Sequence, residues 1–164
     1  MRVLGIDPGS TVTGYGIVEL DGNSIRHLDN GGIRPAAGQS LAQRLGDIHS
    51  SLTSLIKTHR PNIAVVENVF FAKNARSSLI LGHARGAAIL AASSAGLAIA
   101  EYSPSEVKQA VTGNGRATKN QIQQMVRVIL GLPEIAMEDA SDALAVAICH
   151  CNSEGLRRRI EMSI

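Results

Sequence analysis

The sequence predicts an α/β fold in which a five-stranded mixed sheet is flanked by helices. Three strand-like segments near the N-terminus follow one another closely enough to pair as hairpins. Later strand-like segments alternate with segments of helical period, which is typical of parallel strands covered by helices. The 164 residues are 45% hydrophobic and 18% charged, as expected for one globular domain with a sizeable core.

The first half of the chain contains four of the predicted strands. We expect strands at residues 2–7, 13–20 and 24–34, with a hairpin turn at 21–23. After a polar loop, apolar residues recur at helical spacing from Leu41 to Leu55, and Arg60-Pro61 ends this helix. Residues 62–67 are almost continuously apolar, which predicts a central parallel strand.

The second half contains one more strand and most of the helices. We expect helices at 76–94, 103–111, 118–130 and 139–151, with the fifth strand at 97–102. Ser103-Pro104-Ser105-Glu106 has the capping pattern of a helix start. We predict one folded domain, residues 1–153, followed by a basic and flexible C-terminal tail, residues 154–164.

Four acidic side chains stand where this fold could bring them together. Asp7 and Glu67 each end an apolar strand, and Asp139 and Asp142 lie one turn apart at the start of the last helix. Ligands of open α/β sheets bind at the carboxyl ends of strands. Four converging carboxylates repel one another, and a hard divalent cation such as Mg²⁺ or Mn²⁺ would relieve that repulsion. Singly, each acid could equally serve in a turn, a helix cap or a solvated strand end.

Charge and cysteine content limit the possible partners and location. The net charge of +2 indicates nucleic acid only weakly, and a balanced surface is the simpler interpretation of charge alone. If metal neutralises four of the 14 acids, ten remain against 16 bases, which suits a phosphate substrate. We expect no signal peptide, because Arg2 is followed by a strand-length run without a cleavage site. We expect no membrane helix, because no apolar run approaches roughly 20 residues. Cys149 and Cys151 are too close for a zinc knuckle and predict reduced thiols in a cytoplasmic protein.

The sequence resembles the bacterial RuvC Holliday-junction resolvases over essentially the whole chain up to about Cys151. The matching motifs are, in order, Gly5-Ile6-Asp7-Pro8-Gly9, Thr13-Gly14-Tyr15-Gly16, Val65-Val66-Glu67, Phe70-Phe71-Ala72-Lys73-Asn74, Ala84-Arg85-Gly86, Val107-Lys108-Gln109 and Asp139-Ala140-Ser141-Asp142-Ala143-Leu144-Ala145. The resemblance implies an RNase H-like fold and a homodimer that nicks four-way DNA junctions. It also implies that Asp7, Glu67, Asp139 and Asp142 are catalytic metal ligands.

The resemblance further implies how the reaction proceeds and in which setting. Two Mg²⁺ ions per subunit, about 4 Å apart, would act on one phosphodiester, and Mn²⁺ would substitute for them. Paired symmetric nicks would leave 5′-phosphate and 3′-hydroxyl ends during homologous recombination and DNA repair. The RuvA–RuvB branch-migration complex is the expected protein partner. From its place on the central strand, we expect Asp7 to bridge the two metals.

Three basic residues near the predicted site are open to more than one interpretation. In the family, lysines at the positions of Lys108 and Lys119 assist DNA binding and the reaction, so Lys119 is a catalytic candidate. Without the resemblance, both would be taken for solvated helix lysines. Arg85 could contact phosphate, or equally be an interface or surface arginine.

The loop after Glu67 contains both phenylalanines of the chain, Phe70 and Phe71. Two adjacent rings in a loop cannot both pack inward, so one is expected to be exposed and able to stack on an unpaired base. The resemblance selects Phe70 for that role. Lys73 and Arg76 are further candidate DNA contacts.

The helix at 76–94 consists mainly of small residues and is apolar on most of its sides, so most of its surface should be buried. It could be buried by the sheet together with a second subunit, or within one subunit only. Two rival functions share features with this sequence. Asp7-Pro8-Gly9-Ser10-Thr11 also resembles the first phosphate loop of actin-like ATPases and sugar kinases, but the chain has one such domain and no second glycine-rich loop with an aspartate. A non-catalytic junction-binding module would gain nothing from four acids facing phosphate.

Overall fold

The computed structural model of the chain describes residues 1–9, 11–68 and 74–161, with side chains described as far as Leu156. Within these ranges the elements are, in chain order, β1 (Arg2–Asp7), β2 (Thr13–Asp21), β3 (Ser24–Ile33), α1 (Leu41–His59), β4 (Ile63–Glu67), α2 (Ala75–Ser94), β5 (Ala98–Tyr102), α3 (Pro104–Thr112), α4 (Lys119–Leu130) and α5 (Glu138–Glu161). The strands form one sheet in the order β3-β2-β1-β4-β5. The two hairpin pairings are antiparallel, whereas β1–β4 and β4–β5 are parallel, so the predicted mixed sheet is confirmed.

Local capping signals set where three of the helices begin. Ser40, Ser103 and Thr118 each accept a hydrogen bond from the backbone N–H three residues later, in capping boxes that open α1, α3 and α4. Gly113 and Gly131 end α3 and α4 in the left-handed conformation, with φ of 73° and 61°. These signals are encoded within a few residues, which is why these helix boundaries match the predicted ones closely.

The sheet has helices on both faces, and its side chains alternate between two hydrophobic clusters. On β1, Val3 packs into the cluster formed with α3, α4 and α5, whereas Leu4 and Ile6 pack into the cluster formed with α1 and α2. A strand that is buried on both faces needs an apolar residue at nearly every position. The continuous apolar runs of β1 and β4 therefore follow from their central place in the sheet.

The last helix is longer than the sequence analysis expected. The prediction ended it at Cys151, but α5 continues to Glu161 through a segment that was assigned to a flexible tail. Residues 152–161 contain no proline, and Gly155 is the one strong helix breaker among them, so local chemistry allows the helix to propagate. The flexibility of residues 154–164 and the domain boundary at 153 stay predictions. Although α5 has 24 residues, neither it nor another helix of the described ranges is long and apolar enough to cross a bilayer.

Candidate active site

Asp7 and Glu67 lie next to each other at one edge of the sheet. β1 and β4 are parallel, and Ile6 pairs with Val66, so the next residue of each strand is an acid at the same level. Because side chains alternate along a strand, Asp7 shares the sheet face of Val3, and Glu67 shares that of Val65. Both acids therefore face the layer that contains α5, the helix with Asp139 and Asp142.

Glycines in β1 and β2 allow α5 to approach the sheet closely. A Cβ atom added at Gly5 would lie 1.9 Å from the Ala143 carbonyl oxygen, and one added at Gly14 would lie 2.0 Å from the Asp139 carbonyl oxygen. No side chain fits at such distances. Gly14 pairs with Asp7 across the β1–β2 ladder, so this approach brings the start of α5 over the end of β1. The sequence analysis noted these glycines only as part of a motif and missed their packing role.

The acids are close enough to perturb one another electrostatically. Burial raises the pKa of Asp7 from 3.8 to about 7, with further increases from the charges of Asp142, Glu67 and Asp139. Burial, and then the charge of Asp142, raise the pKa of Glu67. Burial also raises the pKa of Asp142, and its hydrogen bond with Lys119 offsets this only in part. The four predicted acids thus form one negatively charged, partly buried cluster.

Lys119 is the cation that lies in contact with this cluster. It is the first residue of α4, and its Nζ donates to Asp142 Oδ2 at 3.0 Å and to Glu138 Oε1 at 2.5 Å. Burial lowers the pKa of Lys119, but the two hydrogen bonds outweigh burial and raise it to about 12. The ammonium is therefore fully charged at neutral pH. Glu138 was missed by the sequence analysis, because an acid in the first turn of a helix is ordinarily explained by the helix dipole.

Two of the other predicted DNA-contact residues, Lys108 and Arg76, lie in the described part of the chain. Lys108 is on α3, which packs on the same face of the sheet as α5, and its charge partly offsets the rise that burial and Asp142 cause in the pKa of Glu67. Arg76 is exposed in the first turn of α2. Phe70 and Lys73 lie outside the described residues, and their roles stay predictions.

Arg85 makes contacts within the subunit that were not among the roles predicted for it, which were a phosphate contact or an interface or surface arginine. From the middle of α2, its Nη1 donates to the Glu67 backbone carbonyl at 2.7 Å. Its Nη2 lies 2.8 Å from Glu101 Oε1 on β5, and 17% of its side chain is exposed. Both terminal nitrogens of the guanidinium group thus make contacts within the subunit, at the end of the strand that positions Glu67. No local sequence signal could have indicated this contact, because it joins residues 18 positions apart on different elements.

The chemistry of the cluster favours a hard cation. Carboxylate oxygens are the ligands that Mg²⁺ and Mn²⁺ prefer. Burial, and then the charges of the other acids, raise the pKa of Asp7, so a cation bound beside it would stabilise its ionised form. In the described part of the chain, however, no three Asp, Glu, His or Cys side chains are already gathered tightly enough to hold an ion. Both cysteines are buried and form no disulfide. Burial raises the pKa of the Cys149 thiol to about 12 and that of the Cys151 thiol to about 11.

Sequence comparison gives a consistent result over nearly the whole chain. The family model described as crossover junction endodeoxyribonuclease RuvC matches residues 3–150. A protein of that name from Geobacter sulfurreducens is 58% identical over 153 residues, 93% of each chain. Another from Geotalea uraniireducens is 54% identical over 156 residues, 95% of this chain and 91% of that one.

Structural comparison leads to the same family. Thermus thermophilus RuvC, in a complex described as containing a Holliday junction substrate, superposes with a TM-score of 0.90 at 35% identity and covers 96% of each chain. The yeast mitochondrial Holliday junction resolvase Ydc2 has a TM-score of 0.70 at 13% identity, covering 95% of this chain and 80% of its own, which supports the fold alone. The RNase H-like fold expected from the resemblance is therefore confirmed. The chain belongs to the RuvC family of crossover junction endodeoxyribonucleases.

Proposed function

We propose that this protein resolves four-way DNA junctions by metal-dependent phosphodiester hydrolysis at the acidic cluster. As a member of the RuvC family, it is an endonuclease that resolves Holliday junctions. The metal dependence, the ligands and the subunit arrangement are the proposed part. The observation that carries the metal dependence and the ligands is the convergence of Asp7, Glu67, Asp139 and Asp142, built by the β1–β4 register and by the close approach of α5 to glycines.

The four acids would hold Mg²⁺, two ions per subunit, with Mn²⁺ as a substitute. The bound metal would supply an activated water and stabilise the leaving oxygen of the phosphodiester. The chain itself contributes the negative field that attracts the cation, since burial and then the charges of the three other acids raise the pKa of Asp7 to about 7. Asp7 is central to that field, because its pKa responds to all three other acids.

Lys119 and the surrounding basic residues would act on the DNA. Lys119 contacts Asp142, so a phosphate bound at the acids would lie within reach of its ammonium group, which could stabilise charge that develops during cleavage. Lys108 and Arg76, together with Lys73, would contact the phosphate backbone, and Phe70 would stack on an unpaired base at the junction. The products would carry 5′-phosphate and 3′-hydroxyl ends, suited to religation.

The proposed assembly is a homodimer built on α2. One face of this helix packs its alanines inside the subunit, whereas Leu79 and Leu90 on another face are 62% and 57% exposed. Gly82 and Gly86 lie between them at helical spacing, and a Cβ atom at either would meet nothing within 4 Å. A two-fold dimer with one site per subunit matches the symmetry of a junction that needs two nicks. In a bacterial cytoplasm, the RuvA–RuvB complex would be its partner.

The test is cleavage of a synthetic four-way junction by variants that remove one carboxylate each. Asp7→Asn, Glu67→Gln, Asp139→Asn and Asp142→Asn should each nearly abolish nicking at saturating Mg²⁺. Junction affinity without metal should persist or increase, because binding depends on phosphate contacts and the variants remove negative charge. Glu134→Gln, which neutralises an exposed acid outside the cluster, is the matched control and should cleave normally.

Each variant can overturn its own assignment. A variant that retains near wild-type nicking would show that its residue is not a metal ligand. Wild-type cleavage at full rate in excess EDTA would refute the metal-dependent reaction as a whole. Nucleotide hydrolysis without junction cleavage would instead support the ATPase interpretation, and metal-independent junction binding without cleavage would support a binding module.

A further inference from the structure

Arg85 joins the ends of two neighbouring strands at the edge of the sheet where the acids converge. We propose that Arg85 is a positioning residue for Glu67, holding the end of β4 so that the Glu67 carboxylate keeps its place in the acidic cluster. This inference rests on the proposed role of Glu67 as a metal ligand. It assigns Arg85 a function inside the subunit rather than on DNA or at a subunit interface.

The contacts of Arg85 are with backbone and with β5, not with the Glu67 carboxylate. Its Nη1 donates to the Glu67 carbonyl oxygen at 2.7 Å, and its Nη2 pairs with Glu101 Oε1 at 2.8 Å. Hydrogen bonds from a charged donor are shorter and stronger than neutral ones, and the planar guanidinium can serve two acceptors in a fixed geometry. With 17% of its side chain exposed and both terminal nitrogens bonded within the subunit, the Arg85 guanidinium is largely withdrawn from the protein surface.

Glu67 needs such support because it lies where the regular ladder stops. The last pair between β4 and β1 is Val66 with Ile6, so Glu67 is one residue beyond it. On the other side, Glu67 pairs with Tyr102, and the Asn68 N–H donates to the Tyr102 carbonyl at 2.7 Å. Arg85 fixes the carbonyl of the peptide group whose N–H makes that second bond. The orientation of this peptide controls the direction in which the Glu67 side chain leaves the backbone.

A metal ligand tolerates little displacement, since productive sites hold their groups within about 0.5 Å. Residues that orient ligands typically change metal affinity or activity by about 10- to 100-fold when removed. Loss of the Arg85 contact should therefore weaken metal binding through a misplaced Glu67. Loss of a phosphate contact would instead weaken DNA binding.

The experiment compares Arg85→Met with Arg85→Lys and with a control, Arg127→Met. Methionine keeps much of the side-chain length but has no hydrogen-bond donor, whereas lysine keeps the positive charge in a single ammonium group. Arg127 is an exposed arginine on α4, so its replacement removes the same charge at a different site. Three quantities are measured: single-turnover nicking against Mg²⁺ concentration, junction affinity in EDTA, and hydrogen exchange of the Asn68 amide in the metal-free protein.

For Arg85→Met we expect nicking at limiting Mg²⁺ to fall about 10- to 100-fold, with a raised half-saturating Mg²⁺ concentration and partial recovery at high Mg²⁺. Junction affinity should fall no more than in Arg127→Met, and the Asn68 amide should exchange faster. Arg85→Lys should lie between wild type and Arg85→Met in each readout. If Arg85→Met does not fold, the proposal is tested by the same three measurements on Arg85→Lys and on Glu101→Gln, which neutralises the ion-pair partner of Arg85.

Two results would overturn the inference. A loss of affinity that accounts for the loss of rate would make Arg85 a DNA contact, and an unchanged Mg²⁺ requirement with unchanged Asn68 exchange would show that it does not hold Glu67. The proposed function fails separately: if Glu67→Gln cleaves at the wild-type rate, the ligand assignment is wrong whatever Arg85 does.

Discussion

Replacing Asp7 by asparagine should stabilise the metal-free protein at alkaline pH even though it removes cleavage. Burial, and then the neighbouring acids, raise the pKa of Asp7 from 3.8 to about 7. Because the folded state binds a proton that the unfolded state has released, stability falls as pH rises from 3.8 to about 7 and stays low above it. At 1.36 kcal/mol per pKa unit, the full loss is about 4 kcal/mol, of which about 2.5 kcal/mol falls between pH 5 and pH 8.

Urea unfolding in excess EDTA at pH 5 and pH 8 measures this difference directly. The free energy of unfolding of Asp7→Asn, relative to wild type, should increase by about 2.5 kcal/mol between the two pH values. Asp21→Asn, which changes an exposed carboxyl at the end of β2, should show no such increase. An Asp7→Asn advantage that is equal at pH 5 and pH 8 would refute the reasoning, because the aspartate would then carry no raised pKa. Mg²⁺ should restore the stability of wild type and have little effect on Asp7→Asn.

Three further outcomes test the site and the assembly. Lys119→Met should slow single-turnover nicking about 100-fold while lowering junction affinity much less, whereas equal losses would indicate simple phosphate anchoring. Gly14→Ala should lower the free energy of unfolding by about 1–3 kcal/mol or more, because its Cβ would meet the Asp139 carbonyl at 2.0 Å. Gly46→Ala is the control: it lies in a helix with open space around it and should raise the free energy of unfolding by about 0.5–1 kcal/mol. Urea midpoints measure both, and a tolerated Gly14→Ala would contradict the close approach of α5. Gly86→Glu should keep its fold but sediment as a monomer and lose paired nicking; a wild-type protein that is monomeric free and on DNA, yet makes two symmetric nicks, would refute the dimer.

The sequence was most informative where the determining interactions are local or periodic. The apolar run that ends at Asp7 and the one that ends at Glu67 predicted buried strands, and the capping pattern at Ser103 predicted the start of α3 closely. Helical spacing placed Asp139 and Asp142 on one face. The end of α5 was predicted wrongly, because Gly155 is the one strong helix breaker between Cys151 and Glu161 and this single glycine does not end the helix.

By itself, then, the sequence determined the strands, the helix starts and the four acids as candidates, since propensity and side-chain period act over a few residues. Only the tertiary structure decided how these parts meet. The bond from Lys119 to Glu138 spans 19 positions and that from Arg85 to the Glu67 carbonyl spans 18, and both depend on how helices pack on the sheet. The close packing of α5 on the sheet likewise depends on tertiary structure, because glycine is required at positions 5 and 14 only when the backbone of α5 lies against them.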